Sequence, residues 1–213
     1  ETGQELTTPL HAVLGLLELI DSDKLAGDDR ARLEQAEISA RQLADLLFGL
    51  VELAGAEGPV TYDEIETATP RVWLDQLAET WTRRVASAGQ LLVPICSAPT
   101  RPIAAPWARL RQLVDLLLDN AVVHAAPGTL RVELSIDGSG GLRCAVVDSG
   151  PGLDENQLVA AAEPFVRFGE RGRLGIGLAL ASRLAQAAGG TLELDSDGTS
   201  TSAAVTVPTT SHL

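Results

Sequence analysis

Basic charge is scarce in this chain: 16 Lys and Arg stand against 29 Asp and Glu, a formal net charge of −13 over 213 residues. Affinity for nucleic acid comes from neutralising phosphates with Lys and Arg, and no basic run offsets the deficit, so the composition argues against a nucleic-acid partner. Cysteine is nearly absent. Cys96 and Cys144 stand alone, without C-x-x-C spacing or a third ligand, which argues against a zinc site or a disulfide-stapled secreted scaffold and for a reducing compartment. Aromatic residues make up 3% of the chain against 45% hydrophobic residues, so aliphatic side chains must fill the core. No stretch of about 18 uncharged apolar residues occurs, and no basic segment precedes an apolar run, so the sequence contains neither a membrane span nor a signal peptide. Glu1 in place of Met suggests a fragment. The length suits one ordinary domain or two small ones, and two units are expected.

What is present first is helical periodicity. Leu6, Leu10, Val13, Leu17 and Ile20 alternate spacings of four and three, the seam of a helix packed on partner helices. Leu33, Ala36, Ala40, Leu43, Leu47 and Leu50 repeat the pattern to about Ala54. Between the runs, Asp21 to Asp29 reads as a loop closed by an acidic helix cap. Two such helices leave much of their stripes wet, which predicts self-association into a four-helix bundle; an antiparallel hairpin packed on its own second domain is the plainer alternative. Gly55-Ala56-Glu57-Gly58-Pro59 breaks the second helix, so the units are expected at 1–57 and 58–213.

The second unit alternates elements. Pro70 to Ala88, Trp107 to Ala125 and Gly175 to Ala188 read as helices, and Leu91 to Cys96 as a strand. Thr129 to Ile136 and Leu142 to Val147 read as a hairpin around Asp137-Gly138-Ser139-Gly140-Gly141. Thr191 to Asp195 and Ser202 to Val207 look like two closing strands. Mostly antiparallel strands with helices on one face make an α/β sandwich, and the fold class of the whole chain is α+β.

Four segments could carry chemistry. Asp148-Ser149-Gly150-Pro151-Gly152 leaves the strand ending in Val146-Val147, where ligand loops lie. A carboxylate there can accept a hydrogen bond from an exocyclic amine while glycines let backbone approach a flat ring, although an ordinary Gly-rich turn reads the same way. Arg173-Leu174-Gly175-Ile176-Gly177-Leu178 opens a helix whose free N–H groups suit phosphate. Between them, Glu163 to Gly172 has the polar, glycine-containing character of a mobile flap or of a plain surface loop. Asn120, late in the Trp107 helix, offers a carboxamide oxygen to a Mg²⁺ that bridges phosphates. His124 shares its face and is either a surface histidine or a phosphate contact. Taken in order, Asn120, Asp148-x-Gly150-x-Gly152, Phe165 and Gly175-x-Gly177 form a joint signal.

In that order the motifs resemble those of the histidine kinases of two-component signalling, whose ATP-binding domain shares its fold with gyrase-type and chaperone-type ATPases; the resemblance covers nearly the whole chain. It implies an α/β-sandwich ATP-binding domain after a dimerisation hairpin, with ATP and Mg²⁺ as cofactors. By that likeness Asn120 is the Mg²⁺ ligand, Asp148 binds the adenine amino group, Gly150 and Gly152 shape the pocket, Phe165 anchors the lid, and Gly175 and Gly177 serve the phosphates. The implied partners are a second copy of the chain, another histidine kinase in a heterodimer, and a response-regulator receiver domain. The implied place is cytoplasmic, with any anchoring in a bacterial inner membrane left to domains outside this chain. The pattern also departs from the family. Leu116 stands where a further asparagine is usual, Arg173 replaces the first glycine of the second Gly loop, and the lid is short. Leu116 also disfavours a gyrase-like hydrolase, because a glutamate there activates water and an isobutyl group cannot take a proton.

Gly3-Gln4-Glu5-Leu6-Thr7-Thr8-Pro9-Leu10 resembles the phosphoacceptor box of the same family, with Gln4 in the place of the acceptor histidine. An imidazole has a nitrogen lone pair near neutral pH, whereas the Gln nitrogen is conjugated with its carbonyl, so Gln4 is not a nucleophile and autophosphorylation is lost. Either natural drift, which Thr7 in place of the usual arginine favours, or an engineered replacement fits. His11 lies one heptad on, about 10.5 Å along the axis at about 1.5 Å per residue, too far for in-line attack. Glu5 resembles the acid/base partner of the missing histidine. Thr8 matches the residue that orients water during dephosphorylation of a response regulator, or is a polar residue of the helix surface. The sequence thus implies a pseudokinase core that docks to a partner kinase or acts as a phosphatase. The alternative is a pure interaction module that binds no nucleotide. A serine-directed kinase of the same superfamily is disfavoured by the amino-terminal helix pair.

Overall fold

The computed structural model describes residues 64–124, 127–161 and 177–210, with 20, 29–30, 32–33, 35–36 and 40 of the amino-terminal segment. The chain divides into two compact units, Glu1–Gly55 and Ala56–Leu213. Most of the first unit, including the seam from Leu6 to Leu17, the Gln4, Glu5 and Thr8 positions and the expected four-helix bundle, lies outside the described residues. Those described between 29 and 40 are helical. Leu33 and Ala40 are buried there, as the stripe requires, but Ala36 is exposed. Three residues beyond Leu33, it is turned about 60° off the stripe's centre at about 3.6 residues per turn. Ile20, the last position of the first seam, sits in a bend and is 43% exposed. Apolar spacing does not say where a helix stops, and Ile20 itself is not helical.

The second unit runs β1 (Glu66–Ala68), α1 (Pro70–Ser87), β2 (Gln90–Cys96), β3 (Ile103–Ala105), α2 (Trp107–His124), β4 (Gly128–Ile136), β5 (Leu142–Asp148), α3 (Glu155–Ala161), α4 (Gly177–Ala187), β6 (Thr191–Ser196) and β7 (Thr201–Val207). A five-stranded sheet has the order β2-β4-β5-β7-β6, and β1 and β3 form a separate antiparallel pair. Within the large sheet β2 and β4 are parallel and every other pairing is antiparallel. The expected α/β sandwich is present, with α2 and α4 packed together over β5 and β7. Three elements that the periodicity did not announce, β1, β3 and α3, have three, three and seven residues, too short to show a period.

Local chemistry explains the long helices. Pro70 opens α1 with its φ preset and no N–H to lose. Trp73, Leu74, Leu77, Trp81 and Val85 are buried along one face. The helix stops at Gly89, whose φ of 75° is left-handed. In α2, Leu110, Leu113, Val114, Leu117, Leu118 and Ala121 are buried. The Trp107 indole N–H donates to the Ile103 carbonyl at 2.9 Å, and the Trp73 and Trp107 rings meet with centroids 5.4 Å apart. α1 and α2 are joined by polar groups as well. Trp81 Nε1 donates to Asp115 Oδ1 at 2.6 Å, Arg84 pairs with Asp119, and the Arg84 guanidinium lies 4.8 Å over the Trp81 ring.

Sheet register assigns the faces. Leu130, Val132 and Leu134 of β4, Leu142, Cys144 and Val146 of β5, and Ala203, Val205 and Val207 of β7 are buried at alternate positions, on the face that the helices cover. The opposite face carries Arg131 paired with Glu133 at 3.1 Å and Arg143 with Glu193 at 3.9 Å. On edge strand β2, Pro94 removes one N–H from the ladder and so discourages addition of a further strand.

Candidate functional site

The register places Asp148, the carboxylate expected from the sequence, at one end of the sheet. Asp148, the last residue of β5, stands opposite Leu130 at the start of β4 and opposite Thr201 at the start of β7, which in turn faces Ser196 at the end of β6. Leu130, Asp148, Thr201 and Ser196 therefore form one cross-strand row on the helix-bearing face. Because β4 begins shortly after α2 ends, the last turn of α2, with Asn120 and His124, lies at the same end. At the other end, a turn of three residues reverses the chain from α4 into β6: Gly190 N–H donates to the Ala185 carbonyl at 2.8 Å and Gly189 has φ 70°. That reversal directs the start of α4, Gly177, back toward Asp148.

Asp148 is half-buried, and burial pushes its carboxyl above the ordinary carboxylate range. Backbone N–H groups of Gly150 and Thr201 and the nearby charge of His124 act in the opposite direction; the Gly150 N–H donates to Asp148 Oδ1 at 2.7 Å. The result is a carboxylate held at a strand end by main-chain donors, partly dehydrated and facing the helix side. A carboxylate so placed is a strong acceptor for a neutral N–H donor of a ligand.

The two glycines of this loop differ. Gly150 is buried. Gly152 has φ 72°, and a Cβ on it would stand 2.6 Å from Gly198 Cα and 2.9 Å from Ser196 Oγ. Glycine at 152 is thus demanded by close packing of this loop on the β6–β7 turn, a reason that the sequence reading did not contain. At Gly177 nothing lies within 4 Å of a Cβ position, so packing among the described residues does not impose glycine there. Asn120 is partly exposed, and its carboxamide has no hydrogen-bond partner among the described residues. His124 is exposed at the end of α2. Phe165, Gly175, Arg173 and the whole flap from Glu163 to Gly172 lie outside the described residues. No group of three His, Cys, Asp or Glu side chains suited to a metal occurs among the described residues, and among them no helix is long and apolar enough to cross a membrane.

The sequence reading missed Ser196, Gly198 and Thr201. Their segment, Asp195-Ser196-Asp197-Gly198-Thr199-Ser200, does carry a turn signal. Asp197 Oδ1 accepts bonds from Thr199 N and Oγ1 at 2.9 Å each and from Ser200 N at 2.8 Å, which holds its carboxyl down to about 2. At the far end of the sheet a cleft of about 210 Å³, bordered by Asp137, Gly141, Gly190 and Thr209, is remote from this site. Its polar groups are used in the fold: Asp137 Oδ1 accepts from Ser139 N and Gly141 N at 2.8 Å each, and Thr209 Oγ1 donates to the Gly140 carbonyl at 3.0 Å.

A sandwich whose mixed sheet presents a carboxylate and glycines beneath a helix carrying asparagine defines a class, and residues 107–211 match the family of histidine kinase-, DNA gyrase B-, and HSP90-like ATPases. Within that class the likeness is to sensor kinases. The chain is 30% identical over 201 residues to the sensor protein TorS of Escherichia coli, covering 91% of this chain and 22% of that protein. It is 33% identical over 198 residues to the sensor-type histidine kinase PrrB of Mycobacterium leprae, covering 91% and 43%. The structure of full-length ShkA in complex with AMPPNP superposes with a TM-score of 0.75 at 27% identity, covering 98% of this chain and 44% of that one. The chain carries the ATPase-type domain of a two-component sensor histidine kinase, and it spans less than half the length of these relatives.

Proposed function

We propose that this chain is the dimerisation and ATP-binding core of a sensor histidine kinase that binds ATP with Mg²⁺ around Asp148 and, with Gln4 at the acceptor position, does not phosphorylate itself. The observation that carries the nucleotide reading is the half-buried Asp148 carboxylate, set at a strand end and held by Gly150 N–H. It suits the exocyclic amine of adenine. ShkA, solved with AMPPNP, supports the same reading. Gly150 and Gly152 would border the base, Gly175 and Gly177 the phosphates, with His124 beside them, and Phe165 the lid. The residues fit Mg²⁺ in one respect: the Asn120 carboxamide, uncommitted among the described residues, offers a hard oxygen. The ion would neutralise phosphate charge. With a single protein ligand it would arrive with the nucleotide.

Without a nucleophile at position 4 the chain acts on others, through docking to a partner kinase as a heterodimer, or as a phosphatase in which Thr8 orients water and Glu5 handles the proton, the aspartyl phosphate belonging to the receiver domain of a response regulator. Gln4→His is expected to incorporate acid-labile label from radioactive ATP, and Asn120→Ala in that background to abolish it. Label-free protein that still binds nucleotide would move the defect to Leu116 or Arg173. The competing reading, an interaction module with an idle ATPase fold, draws on those same two departures. It would stand if calorimetry with ATP analogues and Mg²⁺ gave no heat at millimolar ligand while a stable complex with an intact kinase formed.

A further inference from the structure

Ser196 lies outside every motif considered above, yet it joins the two backbone segments that surround Asp148. Its hydroxyl accepts the Leu153 N–H at 2.9 Å and donates to the Ser200 carbonyl at 2.6 Å. The first bond holds the loop that leaves Asp148 through Gly150 and Gly152. The second closes the turn that delivers Thr201, which stands opposite Asp148 in the β5–β7 ladder. The two segments approach so closely that a Cβ on Gly152 would stand 2.6 Å from Gly198 Cα. Ser196 is also in the same cross-strand row as Asp148, with Thr201 between. A hydroxyl that accepts from one segment and donates to the other has its single proton committed, so both bonds are directional. Removing it leaves the Leu153 N–H and the Ser200 carbonyl without this partner.

We infer that Ser196 is a positioning residue for base recognition: its hydroxyl clamps the Asp148–Leu153 loop to the β6–β7 turn, setting the Asp148 carboxylate at the place where it meets the amino group of an adenine nucleotide. The inference rests on the nucleotide reading above and adds to it the residue that sets selectivity. α3 contributes a second support to the same loop. Asp154 N donates to Gln157 Oε1 and Gln157 N to Asp154 Oδ1, each at 2.9 Å, a reciprocal cap that fixes where the loop ends. Ser196 therefore acts on a segment already pinned at Asp148 and at Asp154, and its loss frees only the five residues between them.

The test uses the 213-residue chain, its Ser196→Ala and Ser196→Thr variants, and two probes, ADP and IDP with Mg²⁺, the second lacking the amino group. Wild type should prefer ADP by about tenfold, the worth of one hydrogen bond to a charged acceptor. Ser196→Ala should reduce that preference to about twofold or less and speed amide hydrogen exchange at residues 149–153, with exchange in β4, β5 and β7 unchanged. Ser196→Thr, which keeps the hydroxyl, should restore both. An Ala variant that retains the wild-type ADP-to-IDP ratio overturns the inference, even if its melting temperature falls, because a purely structural loss would weaken both nucleotides alike. Failure of wild type to bind either nucleotide would overturn the nucleotide reading and this inference with it, whereas wild-type selectivity that survives in Ser196→Ala sinks the inference alone.

Discussion

Asp148 illustrates how one side chain answers to two demands. Its carboxyl is raised in the folded chain because burial disfavours the charge, so the native state holds this proton more tightly than the unfolded chain does. By linkage, its contribution to stability is greatest below the unfolded carboxyl range and is lost as pH rises through the raised folded value. Nucleotide binding has the opposite sign, because the ionised form is the better acceptor. Calorimetric titrations with ADP should therefore show affinity falling as pH is lowered through that raised value, and Asp148→Asn should lose about tenfold or more in affinity at neutral pH with little loss of melting temperature. Asp197 follows the usual acidic rule: its stabilising bonds are present above the unfolded pKa and are lost as pH falls toward about 2. Cys144 is fully buried and burial pushes its thiol up, so it remains the unreactive protonated form. Alkylation of the native chain should label Cys96, which is partly exposed, and reach Cys144 only on unfolding, read by mass spectrometry.

Among the elements, the strong periods and punctuation marks were legible. Pro70 at the start of α1, the hairpin around Asp137 and the long apolar face of α2 all follow from short-range rules. β1 and β3 were not legible. Two three-residue segments pair only because Glu66 meets Ala105 and Ala68 meets Ile103, a pairing across the whole of α1 and β2. α3 was hidden for a similar reason, since only one of its seven residues, Ala161, is buried. The turn into β6 gives a sharp prediction at this scale. A Cβ at Gly190 would stand 1.9 Å from the Thr206 carbonyl oxygen, so Gly190→Ala must displace β6 from β7 or bend the turn. We expect a loss of about 2–3 kcal/mol, seen in urea as a lower midpoint with an unchanged slope. Trp81→Phe should lose about 1 kcal/mol by the same measurement, because Asp115 gives up the indole N–H and keeps Arg111 as its partner.

For the molecule as a whole, the acidic composition argued against a nucleic-acid partner, the scarcity of aromatics required an aliphatic core, and the order of Asn120, Asp148, Gly152 and Gly177 along the chain pointed to its class. The apolar stripes of the first unit predict a dimer: sedimentation of the chain should give twice the monomer mass, and a chain starting after residue 57 should sediment as a monomer that still binds ADP. Local chemistry, written in neighbouring residues, was enough for the longer helices α1, α2 and α4 and for the hairpin around Asp137, because propensity, periodicity and turn preference act over a few residues. Which strand lies beside which, and hence the meeting of Ser196, Gly198 and Thr201 with the loop after Asp148, depended on pairings between segments some fifty residues apart in the chain. Such contacts form only when the sheet closes, since each gains its energy from the neighbours that the same closure supplies, and no short-range pattern encodes them.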